Sequence, residues 1–344
     1  MIATLKFDWR WAAPLCGLLA AFGYTATNIC LRSVTNVDSA FVACVRSIPT
    51  LLLVIPLLLL RTSRGQALVA PRSHVFWLVV TGIFTQIFGN VLFQWSLGII
   101  GLALSVPLVF GSMIIGSAVI GAVVLKEPIN KATAGAIVIL LAAVAVLAFG
   151  AQRGIGPLKL TEAQLGMVSL AVLGNMISGF AYSALGTVMR RGMKAGMSIE
   201  MTLLLLATVG LGSLGSWSLW KLGPDYMVSL GITDYGWMIG AGILNAVSFY
   251  CLATALQHLN VVYVHIINAS QAAMAALVGV LIFAEPLTGY LIFGICLTAV
   301  GLLLPGYNSL NLGKTVRTTT ATPAGDEEFG SAIPLGDVLA DEIS

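Results

Sequence analysis

The chain has 344 residues, of which 58% are hydrophobic and 9% are charged, whereas about a quarter of the residues of a soluble domain are charged. Its mean hydropathy of +0.97 excludes an ordinary soluble domain and predicts an integral membrane protein. The net charge of +3 supplies no basic surface that could bind a phosphate backbone, so nucleic acid is not expected as a partner.

Apolar runs along the chain predict an all-α membrane protein. A helix needs about 20 largely apolar residues to cross about 30 Å of hydrocarbon. The uncharged stretch from Val75 to Leu125 is too long for one crossing, so we expect it to turn back between Gly98 and Gly101. The ten predicted spans are 11–31, 40–60, 75–97, 101–125, 132–150, 165–189, 199–220, 235–256, 260–284 and 287–305.

The distribution of basic residues predicts the orientation of these spans. If the N-terminus lies in the cytoplasm, the inner loops and tails carry twelve Lys and Arg residues, the outer loops carry four, and Arg46 lies inside the second span, which accounts for all 17. Because Lys and Arg are enriched in cytoplasmic loops, we expect both termini in the cytoplasm. Residues 1–10 form the N-terminal segment, and the short loops favour a bacterial inner (plasma) membrane.

An internal repeat is visible when the chain is compared with itself at a constant offset of 158 residues. The offset aligns Tyr24 with Tyr182 and Arg32 with Arg190, and it aligns Glu127-Pro128 with Glu285-Pro286. The repeat predicts two five-helix halves, residues 11–150 and 165–305. Because five is an odd number of crossings, the second half must be inverted relative to the first, and such a pair can expose a shared central site to either side in turn.

Polar residues recur within the predicted spans. Gln86, Asn90 and Gln94 are spaced by four residues, which places them on one face of a helix. Polar groups in hydrocarbon face the bundle interior, either as packing contacts or along a substrate path, and for any single Asn or Gln both interpretations stay open. The predicted substrate-binding residues are Tyr24, Asn28, Arg46, Gln86, Asn90, Gln94, Tyr182, Asn245, Ser248, His265, Asn268 and Gln271.

Two ionisable residues in this set have alternative interpretations. Arg46 is the only basic residue well inside a predicted span. It could pair with Asp38, extend its charge toward the outer surface, or attract an anionic group of a substrate. His265 could form a simple hydrogen bond or relay a proton.

Motifs for enzymatic chemistry are lacking in the sequence. Gly313-Lys314-Thr315 resembles the end of a P-loop, but the earlier glycine that the motif requires is Asn308. Neither a metal-ligand spacing nor a cluster of nucleophile and base is visible. We therefore expect no enzymatic activity, no cofactor and no metal. The Thr-rich and acidic residues 306–344 cannot bury enough apolar area to fold and are expected to form a disordered cytoplasmic tail.

The two halves together resemble the ten-helix drug/metabolite transporter superfamily, specifically its EamA-type carriers. The resemblance rests on a small-residue run that ends in Glu-Pro in the fourth span of each half, GSAVIGAVVLKEPI from Gly116 to Ile129 and AMAALVGVLIFAEPL from Ala273 to Leu287. It also includes the starts Phe22 to Asn28 and Phe180 to Gly186 in the first helix of each half. The resemblance implies a central cavity lined by the first, third and fourth helices of each half.

From the topology, the repeat and this resemblance we expect a secondary active transporter that moves a small metabolite by alternating access. An amino acid or a similar polar or amphipathic compound, moved outward, is the expected cargo. The alternative is a membrane receptor or assembly subunit that binds a ligand without moving it. The expected partners are the small-molecule substrate and the lipid bilayer, and the sequence leaves monomer and homodimer open.

Overall fold

A computed structural model describes residues 9–65, 72–124, 131–153, 162–258 and 261–301, and within these ranges all regular structure is helical. Glu127 and residues 302–344, with the whole predicted tail, lie outside the described residues. The ten described helices are α1 (Trp9–Ser33), α2 (Ser39–Ser63), α3 (Arg72–Ile100), α4 (Leu102–Val124), α5 (Lys131–Arg153), α6 (Glu162–Lys194), α7 (Ile199–Ser229), α8 (Ile232–His258), α9 (Val261–Phe283) and α10 (Gly289–Gly301).

The helices follow the predicted spans closely. Six of them, α1, α2, α3, α6, α7 and α8, are long and apolar enough to cross a membrane, and α4, α5, α9 and α10 contain shorter apolar stretches. Large apolar side chains cover the outside of the bundle, for example Leu52, Val123 and Leu281. Hydrocarbon around the protein accommodates such side chains without the cost that water would impose.

The turn between α3 and α4 occurs at Gly101, within the predicted window. Gly101 has φ 79° and ψ 177°, a conformation that residues with a side chain rarely adopt. A Cβ atom at this position would also lie 2.5 Å from Oε1 of Glu285. Glycine is therefore required here for both its backbone angle and its lack of a side chain.

Helix α7 is longer than the predicted span 199–220, because a second short helix continues from it. Gly223 interrupts the helical geometry with φ 75°. Pro224 follows and suits the first turn of a helix, where its missing N–H group would have no partner. The chain therefore resumes helical structure up to Ser229, beyond the apolar segment that the sequence identified.

Helices from the two halves interlock through their packing. Helix α1 packs mainly on α8, α6 packs on α3 and α4, and α2 packs between α7 and α8. The largest buried apolar cluster joins both halves and includes Leu31, Leu97 and Met238, each at most 2% exposed. The central interface is thus a packed core rather than a loose contact between two domains.

Three described ion pairs each join one half to the other, and two of them involve α2. At the start of α2, Asp38 pairs with Lys221 of α7 at 2.9 Å. At the opposite end of α2, Arg61 pairs with Glu200 at the start of α7, with an N–O distance of 2.5 Å. The two pairs join opposite ends of α2 and α7, so the two helices lie side by side in opposite directions.

Candidate functional site

The third helix contains a π-helical segment that includes two of the predicted site residues, Gln86 and Asn90. Residues Thr85–Val91 form a π-helical segment within α3, a feature often found at functional sites. The hydroxyl of Ser178 on α6 donates to the carbonyl oxygen of Phe88 at 3.0 Å, and the hydroxyl of Thr85 donates to the carbonyl of Ala181 at 3.2 Å. Contacts with the second half therefore hold this segment in place.

A chain of hydrogen bonds starts at the backbone of α7 and ends at Asn90. The amide nitrogen of Gln86 donates to the carbonyl oxygen of Leu206 at 3.3 Å, and the amide nitrogen of Asn90 donates to Oε1 of Gln86 at 2.7 Å. Because a backbone carbonyl can only accept, this chain orients both amides. The carbonyl oxygen of Asn90 consequently points away from Gln86.

That oxygen of Asn90 accepts two hydrogen bonds. Nη2 of Arg46 donates to it at 2.5 Å, and the hydroxyl of Tyr182 donates to it at 2.8 Å. Gly89 makes room for this arrangement, since a Cβ atom there would lie 3.2 Å from the Tyr182 ring. The structure thus brings together four of the predicted residues from α2, α3 and α6.

Arg46 does not form the predicted alternative ion pair with Asp38. Asp38 caps the N-terminus of α2 by accepting from the backbone N–H groups of Ala40 and Phe41, and its other oxygen pairs with Lys221. In the described part of the chain no carboxylate lies within 4.0 Å of Arg46. The charge of Arg46 is balanced there only by neutral hydrogen-bonding groups.

Two tyrosines that the repeat relates to each other lie close to Arg46. Tyr182 and the guanidinium both donate to the oxygen of Asn90, and Tyr182 and its equivalent in the first half, Tyr24, both interact with Arg46 electrostatically. Protein surrounds Tyr24, Arg46 and Tyr182, yet each keeps part of its surface accessible. The three side chains are therefore half-buried within the bundle.

The cluster lies near the middle of the bundle. At a rise of 1.5 Å per residue, Arg46 is about 12 Å along α2 from Asp38, and Asn90 is about 15 Å along α3 from Ile100. Since the hydrocarbon layer is about 30 Å thick, both residues are close to its centre. The guanidinium of Arg46 bonds to Asn90 at this depth, which is inconsistent with an extension toward the surface.

Other predicted residues lie elsewhere. Gln94 is 3% exposed and donates to the carbonyl of Leu31, so it joins α3 to α1. Ser248 is 1% exposed, bonds to the carbonyl of Leu244 in its own helix and packs against Gly23, so it lies in the close contact of α1 with α8. Both residues serve helix packing.

Asn28 and Asn245 differ from that pair because both remain partly accessible. Neither forms a hydrogen bond with another described residue. On α9, Gln271 donates to Asn268 at 2.8 Å, and both are less than 9% exposed. The backbone of His265 belongs to α9, but its side chain lies outside the described residues.

Sequence reasoning missed two contributors to this region and one buried polar residue of α6. The carbonyl of Leu206 ends the amide chain, and no side-chain pattern could reveal a backbone acceptor. Ser178 supports the π-helical segment but is one small residue among many. Asn175 on α6 is 0% exposed, and neither its amide nitrogen nor its oxygen has a partner in the described ranges. Its isolation in an apolar run was the available signal.

The helical architecture and the apolar outer surface define an integral, multi-pass membrane protein. The model of the EamA-like transporter family matches residues 11–149 and 169–306. The chain therefore belongs to the EamA-like transporter family, as the resemblance predicted, and is a membrane transporter of small molecules. The two matched segments also confirm that the family unit occurs twice in the chain.

A solved crystal structure shares the fold. It is 14% identical, aligns with a TM-score of 0.61, and the match covers 87% of this chain and 98% of the other. At that identity the similarity concerns the fold alone. No curated protein matches the sequence.

Proposed function

We propose that this protein is a secondary active transporter that exports a small polar or amphipathic metabolite by alternating access. The observation that carries the proposal is the polar cluster at Arg46 and Asn90, which both halves build near the middle of the bundle. A site at the interface of two repeats can be exposed to either side when the repeats move relative to each other.

The packing of the helices supports an inverted relationship between the halves. The counterpart of each helix in the other half lies five helices along the chain, so α1 corresponds to α6 and α8 to α3. Helix α1 packs on α8, and α6 packs on α3 in the same way. Helix α2 runs antiparallel to its counterpart α7. The backbone N–H group of Leu102 donates to Glu285. The start of α4 therefore contacts the segment just after the end of its counterpart α9.

Contacts between the halves differ at the two ends of the bundle. Arg32, Glu285, Asp38 and Lys221 form two ion pairs at the end where α1 finishes. The distribution of basic residues assigns this end to the outer surface, with both termini in the cytoplasm. In this assignment, opening toward the outside requires these two pairs to separate, and opening toward the cytoplasm requires the pair of Arg61 with Glu200 to separate.

The test of this proposal combines a metabolite screen with flux measurements. Comparison of extracellular metabolites from cells with and without the protein identifies exported compounds, which are then assayed as radiolabelled cargo in proteoliposomes. Asn90→Leu removes the acceptor of Arg46 and Tyr182, and hydrogen bonds to charged groups contribute about 1.5–3 kcal/mol. We therefore expect flux to fall at least roughly tenfold, while insertion into the membrane is unchanged.

Ser216→Leu is the matched control. Ser216 is exposed on α7 and has no hydrogen bond within the described ranges, so this variant should transport like the wild type. Undiminished flux in Asn90→Leu would show that the polar cluster is not the site. Saturable binding without flux of any compound would instead favour a receptor.

A further inference from the structure

We infer that Arg46 binds a carboxylate of the transported compound, so that the substrates are small organic acids with one free carboxylate and a net charge of −1. This inference rests on the proposed transport function and specifies the substrate class of the same site. Four features of the structure support it: an uncompensated charge, accessible donors, a fixed orientation and a free hydroxyl.

The uncompensated charge is evident from the positions of the acidic residues. In the described ranges, carboxylates occur only at helix ends, and Asp38, Glu200 and Glu285 are each paired with a basic side chain. A charged group near the centre of a bilayer is costly unless an opposite charge or water accompanies it. An anionic ligand supplies the charge that the described protein does not.

The guanidinium of Arg46 also keeps donors for a ligand. It carries five N–H groups, and the described hydrogen bond to the oxygen of Asn90 uses one of them. Arg46 keeps accessible surface, so the other N–H groups are not sealed inside the protein. The planar fork of these groups matches the two oxygens of a carboxylate.

Neighbouring groups hold the guanidinium in place and add a donor. Asn90 is oriented by Gln86 and by the carbonyl of Leu206, so its oxygen always faces Arg46. The hydroxyl of Tyr24 interacts electrostatically with Arg46 but has no hydrogen-bond partner among the described residues. It can donate to an oxygen of a carboxylate that Arg46 binds.

The same features favour a monoanion over other ligands. A phosphate monoester carries close to two negative charges at neutral pH, and the cluster offers one cation. A zwitterionic amino acid would place its ammonium where the described interior has no carboxylate, so only amide oxygens such as those of Asn28 and Asn245 could accept from it. An organic acid without an ammonium group leaves no charge unmatched.

Thermal unfolding of the purified protein in detergent tests the ligand class. Each of three acids is compared with its uncharged amide at constant pH and ionic strength: propionate with propionamide, phenylacetate with phenylacetamide, and indole-3-acetate with indole-3-acetamide. We expect at least one acid to raise the unfolding temperature of the wild type while its amide does not. If no acid stabilises the wild type more than its amide, the inference is overturned.

Variants at Arg46 assign the effect to this residue. Removing one member of a buried, hydrogen-bonded charge pair costs about 2 kcal/mol or more in binding, so Arg46→Gln should weaken binding of the acid at least about 30-fold. Arg46→Lys keeps the charge without the planar fork and should give an intermediate affinity. Arg64→Gln makes the same change at the exposed end of α2 and should bind like the wild type.

The outcomes separate this inference from the proposed function. Unchanged acid binding in Arg46→Gln overturns the inference, and so does unchanged binding in Arg46→Lys if Arg46→Gln fails to fold. Flux of the stabilising acid in proteoliposomes is measured independently. Acid binding that depends on Arg46 without any flux would refute transport but not the ligand class, whereas flux of only uncharged compounds would refute the ligand class but not transport.

Discussion

Glu285 joins the two halves at one end of the bundle, and its replacement by Gln should destabilise the protein. Its carboxylate accepts from Nε of Arg32 at 3.0 Å and from the backbone N–H groups of Leu102 and Ala103 at 2.7 Å each. Arg32 also lies over the ring of Phe283, 5.6 Å from its centroid. One side chain thereby connects the end of α1, the start of α4 and the end of α9.

The magnitude follows from the bonds that an amide cannot form. Glu285→Gln keeps one acceptor oxygen for a backbone N–H group but turns a donor toward the other, and it removes the charge that pairs with Arg32. Hydrogen bonds to charged groups contribute about 1.5–3 kcal/mol each. The Arg32 side chain is 23% exposed, so solvent screening reduces the ion-pair contribution. We expect a loss of about 3 kcal/mol in total.

Thermal unfolding in detergent, followed by intrinsic tryptophan fluorescence, measures this loss. For a chain of 344 residues, a loss of 1 kcal/mol lowers the unfolding temperature by about 1.4 °C, so the expected loss corresponds to a decrease of about 4 °C. Arg32→Gln and the double variant complete a cycle, in which the double variant should lose less than the sum of the single losses. A decrease below about 1 °C in Glu285→Gln, or strict additivity in the cycle, would refute the proposed contacts.

Two further variants test neighbouring contacts by the same measurement. Gly101→Ala should lower the unfolding temperature by a few degrees, because the extended conformation with positive φ costs alanine about 1–3 kcal/mol and its Cβ would contact Glu285. An unchanged temperature would contradict the described turn. Lys221→Gln should have little effect, less than about 1 kcal/mol, because the Lys221 side chain is 49% exposed in its pair with Asp38. A loss as large as that of Glu285→Gln would show that exposure does not distinguish the two pairs.

The sequence indicated the helices because hydrophobic runs of membrane length leave few alternatives. A membrane-embedded backbone must satisfy its own hydrogen bonds, and a helix does so within one segment. The turn near Gly101 followed from length alone, since the uncharged stretch could not be one crossing. The extension of α7 past Gly223 was not predictable from hydropathy because the added residues are not a membrane-length run.

Packing of the helices separated the predicted site residues into a central cluster and residues that lie in helix contacts. Arg46, Gln86, Asn90 and Tyr182 came together, whereas Ser248 lies in the contact of α1 with α8. Periodicity reveals which residues share a helix face, but it does not show which neighbour covers that face. A serine that bonds to its own helix and one that faces a cavity give the same pattern in the sequence.

The sequence by itself determined the class of protein, the family and the duplication, because composition, span length and a constant offset are properties of one chain read in order. The tertiary structure decided the environment of Arg46. Asp38 was the nearest acid along the chain, yet Lys221 occupies it from α7, which leaves Arg46 to Asn90 on α3. Ion pairs depend on distances in space across helices, and those distances exist only after the two halves have packed together.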